Sequence, residues 1–509
     1  MKPAIVFIGF MGAGKSTALA AAREAGLETI EADELMEREL GMPIAEAFET
    51  RGEEEFRARE AEVLGQLLER ADGGAIALGG GSVLSERIRD ALARHVVVWL
   101  QVDAADAWQR IRGTSRPLAR SAEDVERLLA ERLPLYEQLA DAIVMPADAG
   151  VAGRALPAIR ALADLPAATR LLWAVSASAE YPVMVGAEVL GGGWWPLDGR
   201  RFHVTDRSVG RLYAGRAEPL AGTVEVDPGE RSKALGEAER VLRELAAAGM
   251  TRSDYLVALG GGVVGDLAGF CAHTYQRGVE VVQVPTTVVG QVDSAYGGKA
   301  GVDLPEGKNY VGAYHFPAAV LADTATLESL PDAELAAGLV EVLKTGLLAG
   351  GALWERVQGI DAASARGLDD VFFACARYKC EVVAADERDA GRRAVLNLGH
   401  TVGHAIEAAS GYGRYRHGEA VGLGLLAALR LSGADELREQ VRAMLTALDV
   451  PTKLDAETDL EAVLAAVERD KKRTPDGVAF VLLSEPGAPR EGQLVDPGRV
   501  REAVEELAA

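Results

Sequence analysis

An α/β fold in two successive units, the second ending in a mainly α-helical region, is predicted by three features of the 509-residue sequence. Short apolar runs alternate with charged, helix-periodic segments over roughly the first 146 positions. A second alternation starts near Tyr181, and strand signals thin out after about Ala322, where long Ala, Leu and Glu segments take over. Apolar strands alternating with amphipathic helices are the mark of a parallel sheet covered by helices.

In chain order, the first unit offers IVFIGF (5–10), a helix beginning near Lys15, AIALGGG (75–81), HVVVWL (95–100) and AIVMP (142–146). An Ala-rich stretch at 147–172, containing Pro157 and Pro166, carries no chemistry, which sets a first domain at 1–165 and a linker at 166–180. RFHVT (201–205), YLVALGGG (255–262) and VEVVQVP (279–285) read as strands of a second α/β domain at 181–322. The helical domain is expected at 323–509, and a site is expected where it meets the preceding α/β domain. LGGG occurs at 78–81 and at 259–262 with different flanks, so the two are independent strand-to-turn junctions that let backbone approach a ligand.

Composition limits the partners. The formal charge is -23 and its acidic excess is spread along the chain, which argues against nucleic acid or anionic membrane as a partner. Phosphorylated substrates would then need Lys and Arg concentrated inside clefts. Cys271, Cys375 and Cys380 form no CxxC pair, so a reducing, cytoplasmic setting is expected. The apolar run at 4–10 enters a Gly-rich turn without a cleavage pattern and reads as a buried strand. No uncharged stretch approaches the roughly 20 residues that span a bilayer.

GFMGAGKS at 9–16 matches GxxxxGK[ST] between a strand and a helix. Backbone N–H groups of Gly12, Ala13, Gly14, Lys15, Ser16 and Thr17 can curl round nucleotide phosphates, Lys15 adds charge, and the Ser16 hydroxyl can ligate Mg²⁺ beside ATP. The motif alone leaves ATPase, GTPase and small-molecule kinase open. After it come EAD (31–33), EFR (55–57), GGG (79–81), RPL (116–118) and ERLPLY (131–136), an ordered set that resembles shikimate kinase. The resemblance implies that Asp33, Arg57, Gly80 and Arg132 hold shikimate, that Asp33 takes the hydroxyl proton, and that Arg116 reaches the transferred phosphate. The residue types suit those roles, since Arg clamps a carboxylate and Asp accepts a proton. Glu31 stands where that family usually has Asp near Mg²⁺.

Four of the seven histidines, His315, His400, His404 and His417, lie among Lys, Arg and Glu. His400 and His404 are one helical turn apart, so on spacing either or both can ligate a metal, with His417 and Glu341 completing a three-ligand, one-open-position site. GGGVVGD (260–266) ends a strand and opens a helix, a setting for a dinucleotide pyrophosphate or for a structural turn. These residues, with VPTTVV, DSAYGGK, GKNYVGAYHFP, GLVEVLKTGLL, YKCEVVAADE, LNLGHTVGHAIE and HGEAV in order, resemble 3-dehydroquinate synthase from about 181 onward.

That resemblance implies Zn²⁺ (or Co²⁺) on Glu341, His400 and His417, with His404 turned to the substrate phosphate instead. It implies substrate contacts from Asp293, Lys299, Asn309, Lys344, Lys379, Arg393, Asn397, His404 and Lys472, with Lys471 a neighbour, and chemistry at Lys344 and His404. Arg277 resembles an arginine donated across a homodimer interface. NAD would be held by Asp206, Glu230, Lys233, Gly261, Gly262, Val263, Asp266, Thr286, Thr287, Lys308 and the turn at 326–329 with Thr326 and Ser329. Ser208 and Ser329 replace the usual Asn and Thr and keep a small polar side chain. The implied reaction converts 3-deoxy-arabino-heptulosonate 7-phosphate to 3-dehydroquinate and phosphate through transient NAD⁺ oxidation. A substrate carrying carboxylate and phosphate accounts for the cations. The alternatives are a regulatory ATP-binding N-terminal half, and a C-terminal cyclase for another keto sugar or a metal-dependent polyol dehydrogenase.

Overall fold

The computed structural model describes residues 2–113, 119–364, 366–469, 473–474 and 477–508. The predicted site residues Arg116, Lys471 and Lys472 lie outside the described residues. The chain forms two compact units, Met1–Val175 with Glu180–Met184, and Ser176–Ala179 with Val185–Ala509.

In the first unit the strands are β1 (Ile5–Ile8), β2 (Thr29–Glu31), β3 (Ala75–Ala77), β4 (Val96–Leu100), β5 (Ala142–Val144), β6 (Arg170–Val175) and β7 (Glu180–Gly186). Their order is β2-β3-β1-β4-β5-β6-β7. Pairing is parallel on both sides of β1, with Ile5 opposite Ala75 of β3 and Val96 of β4. β1 and β4 are buried throughout because helices cover the sheet, which is why they read as unbroken apolar runs. The C-terminal ends of β2, β3 and β1 are therefore neighbours, and the segments at 31–33, 79–81 and 9–16 leave the sheet side by side.

Residues 166–180 differ from the linker expected there: they carry β6, which runs parallel to β5 with Leu171 opposite Ala142. RLLWAV is apolar enough to be a buried strand, but the Ala- and Pro-rich segment before it obscured the boundary.

The second unit adds β8 (Arg201–Asp206), β9 (Gly222–Val226), β10 (Tyr255–Gly260), β11 (Glu280–Pro285), β12 (Lys299–Leu304), β13 (Gly307–Tyr314) and β14 (Ala319–Asp323). Its sheet runs β14-β11-β10-β8-β9, with parallel registers such as Tyr255 opposite Glu280 and Arg201. Phe202, Val204, Leu256, Leu267 and Val281 are fully buried in its core. β12 and β13 form an antiparallel hairpin whose turn, closed by Leu304 opposite Gly307, delivers Lys308.

Helices follow at Asp332–Ala349, Asp369–Ala385, His400–Ala409 and His417–Ser432. Glycine decides how the last of these packs. A Cβ on Gly418 would collide with the Ala337 carbonyl, and one on Gly424 with the Gly399 carbonyl. Only their absence lets this helix touch both the helix bearing Glu341 and the turn before His400. The region expected to be mainly helical also contains an antiparallel pair, Gly477–Leu483 and Pro489–Leu494. The short apolar run FVLL between Gly and Pro is the strand signal there. Among the described residues no helix is long and apolar enough to cross a membrane.

Candidate active sites

In the first unit β1 ends in a loop that turns on Gly9, Gly12 and Gly14, all at positive φ (144°, 80° and 90°). A Cβ at Gly9 would stand 2.6 Å from the Leu100 carbonyl oxygen, so the loop tolerates no side chain there. The helix Lys15–Glu24 starts immediately after, aiming its N-terminus at the space a phosphate would fill. Lys15 Nζ folds back to donate to the carbonyls of Gly9 and Phe10 at 2.9 and 3.1 Å. Glu31 ends β2 on the side of the sheet where the phosphate loop leaves β1. Burial pushes its carboxyl up, with the nearby Ser16 hydroxyl opposing.

The acceptor pocket forms over Gly79–Gly80–Gly81. A Cβ at Gly79 would sit 3.0 Å from Asp33 Oδ1, and one at Gly81 would overlap the Arg57 guanidinium. The glycines are the floor onto which Asp33 and Arg57 converge. Arg57 donates to Glu60 at 2.7 Å and lies over the rings of Phe48 and Phe56 at 5.6 and 5.5 Å. Glu60 is itself fixed by the Ser82 hydroxyl at 2.8 Å. Arg132, buried, lies over Phe10 at 5.6 Å. Tyr136 donates to the Gly80 carbonyl at 2.5 Å. Burial pushes its phenol up to about 12, against the pull of Arg132. Glu60 and Ser82 were missed in the sequence, although Glu60 stands one helical turn from Arg57.

In the second unit a cleft of about 1300 Å³ is lined by segments that leave β8, β10 and β11 and by the later helices. Asp206, Glu230, Lys233, Gly261, Gly262, Val263, Asp266, Thr286, Thr287, Lys308 and Ser329 line it on one side. The helix Gly262–Thr274 opens at Gly261 with extended backbone, and its first amides have no intrahelical acceptor. Asp206 caps the next helix through Ser208 and Val209 N–H at 2.9 and 3.0 Å. Lys233 and Asp266 pair at 2.5 Å. Thr326 turns inward to the Asp323 carbonyl at 2.6 Å, and Ser329 accepts from Tyr213 at 2.7 Å.

His417 also lines the cleft, and behind it Glu341, His400 and His417 present ligand atoms within 4.8 Å of one another. His417 Nε2 is 3.4 Å and His400 Nε2 3.6 Å from Glu341 Oε1. His400 Nδ1 faces the Leu398 carbonyl at 3.1 Å, so Nε2 is the nitrogen left for a metal. Both Glu341 oxygens are buried and, among the described residues, accept no directed hydrogen bond, although Lys344 Nζ lies 2.6 Å from Oε2. A divalent cation fits this donor set of two imidazoles and a carboxylate. Burial opposes charge on His417, yet Glu341 and Glu407 outweigh it and push the imidazole up to about 10. The His404 ring lies 5.2 Å from His400 and 5.9 Å from His417, beside this trio.

Lys379 and Lys344 reach Asp293 at 2.7 and 4.0 Å. Burial works against the Asp293 charge, but the two lysines pull its carboxyl down to about 2. Arg393, 2% exposed, donates to the carbonyls of Glu387 and Gly297. Lys299 pairs with Asp389, and Asn397 donates to the Ala394 carbonyl at 3.1 Å. Asn309 and Arg277 adopt left-handed backbone, φ 54° and 73°. Asn309 lines the cleft, whereas Arg277 is exposed and outside its lining. Glu407 was missed in the sequence, although it closes the motif that carries both helix histidines.

Residues 11–156 match the family model for shikimate kinase, 223–337 that for the 3-dehydroquinate synthase N-terminal domain, and 338–473 that for its C-terminal domain. A 3-dehydroquinate synthase of Symbiobacterium thermophilum is 42% identical over 350 residues, covering 64% of this chain and 98% of that protein. A structure of 2-deoxy-scyllo-inosose synthase with carbaglucose-6-phosphate, NAD⁺ and Co²⁺ aligns with TM-score 0.60 and 25% identity, over 66% of this chain and 99% of that one. A 2-epi-5-epi-valiolone synthase from Streptomyces hygroscopicus subsp. jinggangensis 5008, with NAD⁺ and Zn²⁺ bound, gives 0.57 and 25% over the same 66% and 99%. The phosphate loop and acceptor pocket ahead of a metal-and-nucleotide cleft agree with these matches: the chain belongs to the 3-dehydroquinate synthase family and carries a shikimate kinase domain in front, a bifunctional enzyme of the shikimate pathway.

Proposed function

We propose that the N-terminal site phosphorylates shikimate with ATP through Lys15, Ser16, Asp33, Arg57, Gly80 and Arg132, with Arg116 at the transferred phosphate. Asp33 accepts the proton of the attacking hydroxyl, while Arg57 and Arg132 clamp the carboxylate. Ser16 at the start of the helix after the phosphate loop supports Mg²⁺ there, with Glu31 at the end of β2 as the carboxylate near it.

The C-terminal cleft takes 3-deoxy-arabino-heptulosonate 7-phosphate. Bound NAD⁺ supplies a reversible hydride acceptor, and bound Zn²⁺ or Co²⁺ a Lewis acid. Glu341, His400 and His417 hold the metal. The Gly261–Gly262 turn and Lys308 face the dinucleotide phosphates, with Asp206, Glu230, Lys233, Asp266, Thr286, Thr287, Thr326 and Ser329 around the rest. Lys299, Lys344, Lys379, Arg393, Asn397 and His404, with Lys472, gather round the substrate anions, and Lys344 and His404 handle its protons. The observation that carries this reading is one cleft whose lining includes both a glycine-opened helix N-terminus and His417 of the three-ligand cluster.

The exposed Arg277 supports a homodimer in which it serves the partner's site, checked by analytical ultracentrifugation. Three buried free cysteines support a reducing, cytoplasmic setting.

The test is a pair of assays on one preparation, with phosphate released from the heptulosonate phosphate with NAD⁺ and Zn²⁺ as one readout, and ADP formed from ATP on adding shikimate as the other. Lys15→Ala is expected to abolish only the second, and His417→Ala only the first. Phosphate release without shikimate-dependent ADP would overturn the kinase assignment.

A further inference from the structure

One run of alternating charge crosses the C-terminal cleft. Glu230 Oε1 meets Lys308 Nζ at 3.5 Å, and the same Nζ meets Glu407 Oε1 at 3.2 Å. The other Glu407 oxygen faces His417 Nδ1 at 3.3 Å, and His417 Nε2 faces Glu341. Glu407 is 3% exposed, and its two oxygens are divided between a lysine on the β12–β13 hairpin and a metal-ligating imidazole. Lys308 also lies 4.8 Å over the Tyr412 ring, which fixes its head group from a second direction.

A carboxylate behind a ligating histidine sets its tautomer and raises its basicity toward the metal. Here that carboxylate is partly neutralised by Lys308, which lines the nucleotide side of the cleft. A dinucleotide phosphate drawing on Lys308 leaves more of the Glu407 charge to His417, and so strengthens the metal site. Linkage then requires the metal to tighten dinucleotide binding by the same factor.

We propose that Glu407 is a positioning residue that orients His417 for metal and, through Lys308, makes divalent-metal and dinucleotide affinities rise together. This rests on the metal and NAD⁺ assignments above. The experiment measures Co²⁺ affinity by chelator competition, and the Co²⁺ ligand-field spectrum, on the full chain with and without saturating NAD⁺. In the parent, NAD⁺ tightens Co²⁺ binding about fivefold or more, and Co²⁺ tightens NAD⁺ binding equally. Glu407→Gln weakens Co²⁺ about 10–100-fold, alters the spectrum, and abolishes the response to NAD⁺. Lys308→Met, without NAD⁺, binds Co²⁺ as tightly as the NAD⁺-loaded parent and gains nothing further from NAD⁺. If Glu407→Gln does not fold, judged by loss of NAD⁺ binding, Lys308→Met alone decides. Parental Co²⁺ affinity in Glu407→Gln, or a parental NAD⁺ response in Lys308→Met, overturns the proposal. A parent that binds neither Co²⁺ nor NAD⁺ and releases no phosphate would overturn the functional reading first, and the coupling with it.

Discussion

In the kinase unit Asp33 and Arg57 stand on the rim of a sheet: Arg57 is held by two carboxylates, Glu53 and Glu60, and two phenyl rings, over a floor of glycine. In the synthase unit Glu341 and Lys344 are each 1% exposed and answer one another within an extended run of ion pairs. The first arrangement leaves Asp33 and Arg57 partly open to water, although Arg132 is buried, so these two contribute mainly to ligand binding. The second takes its charges out of water, where a charge keeps its ionised form only beside its partner. Function and stability are therefore separable in one site and entangled in the other.

The largest effect that tests this contrast is on Glu341. Glu341→Ala leaves Lys344 buried and without that partner, and is expected to cost about 3–5 kcal/mol of stability in metal-free protein, with loss of phosphate release. Asp33→Asn should lose kinase activity at a stability cost within about 0.5 kcal/mol. Equal thermal shifts in calorimetry would break the comparison.

His203 sharpens it from the side of pH. It is fully buried on β8, and among the described residues neither ring nitrogen has a hydrogen-bond partner. Burial, with Arg201 adding to it, pushes its pKa from 6.5 down to about 4. The unfolded imidazole takes a proton below 6.5 and the folded one only near 4, so the stability it contributes is present above the first value and lost toward the second. The difference is about 3 kcal/mol. His203→Leu should gain on the parent by that amount as acid is added, read as the change in the gap between their unfolding curves.

Two glycines give the smaller effects. Gly418→Ala drives a methyl into the backbone of Ala337, which cannot swing away, and should cost about 1–3 kcal/mol while weakening Co²⁺ binding at the adjacent His417. Gly81→Ala meets the Arg57 guanidinium first, a side-chain end that can shift where backbone cannot, so shikimate KM should rise about tenfold, the loss of about one charged hydrogen bond, with little change in melting temperature.

The strands at Ile5–Ile8, Val96–Leu100 and Tyr255–Gly260 were legible because burial on both faces leaves continuous apolar runs. The phosphate loop was legible because its chemistry lies in eight consecutive residues. β6 and the C-terminal hairpin were not, because a neighbouring segment of different character masks each.

By itself the sequence determined the α/β order, the phosphate loop, and the inventory of Lys, Arg, His and Glu, because these depend on local periodicity and residue type. Tertiary structure alone decided which carboxylate stands behind His417. Glu60 lies one helical turn from Arg57 and is a local pair, whereas Glu407 between Lys308 and His417 is set by side-chain direction and by the helix contacts at Gly418 and Gly424. Lys308 and Glu407 are 99 residues apart, and no local spacing reports a contact made only when a hairpin meets a helix.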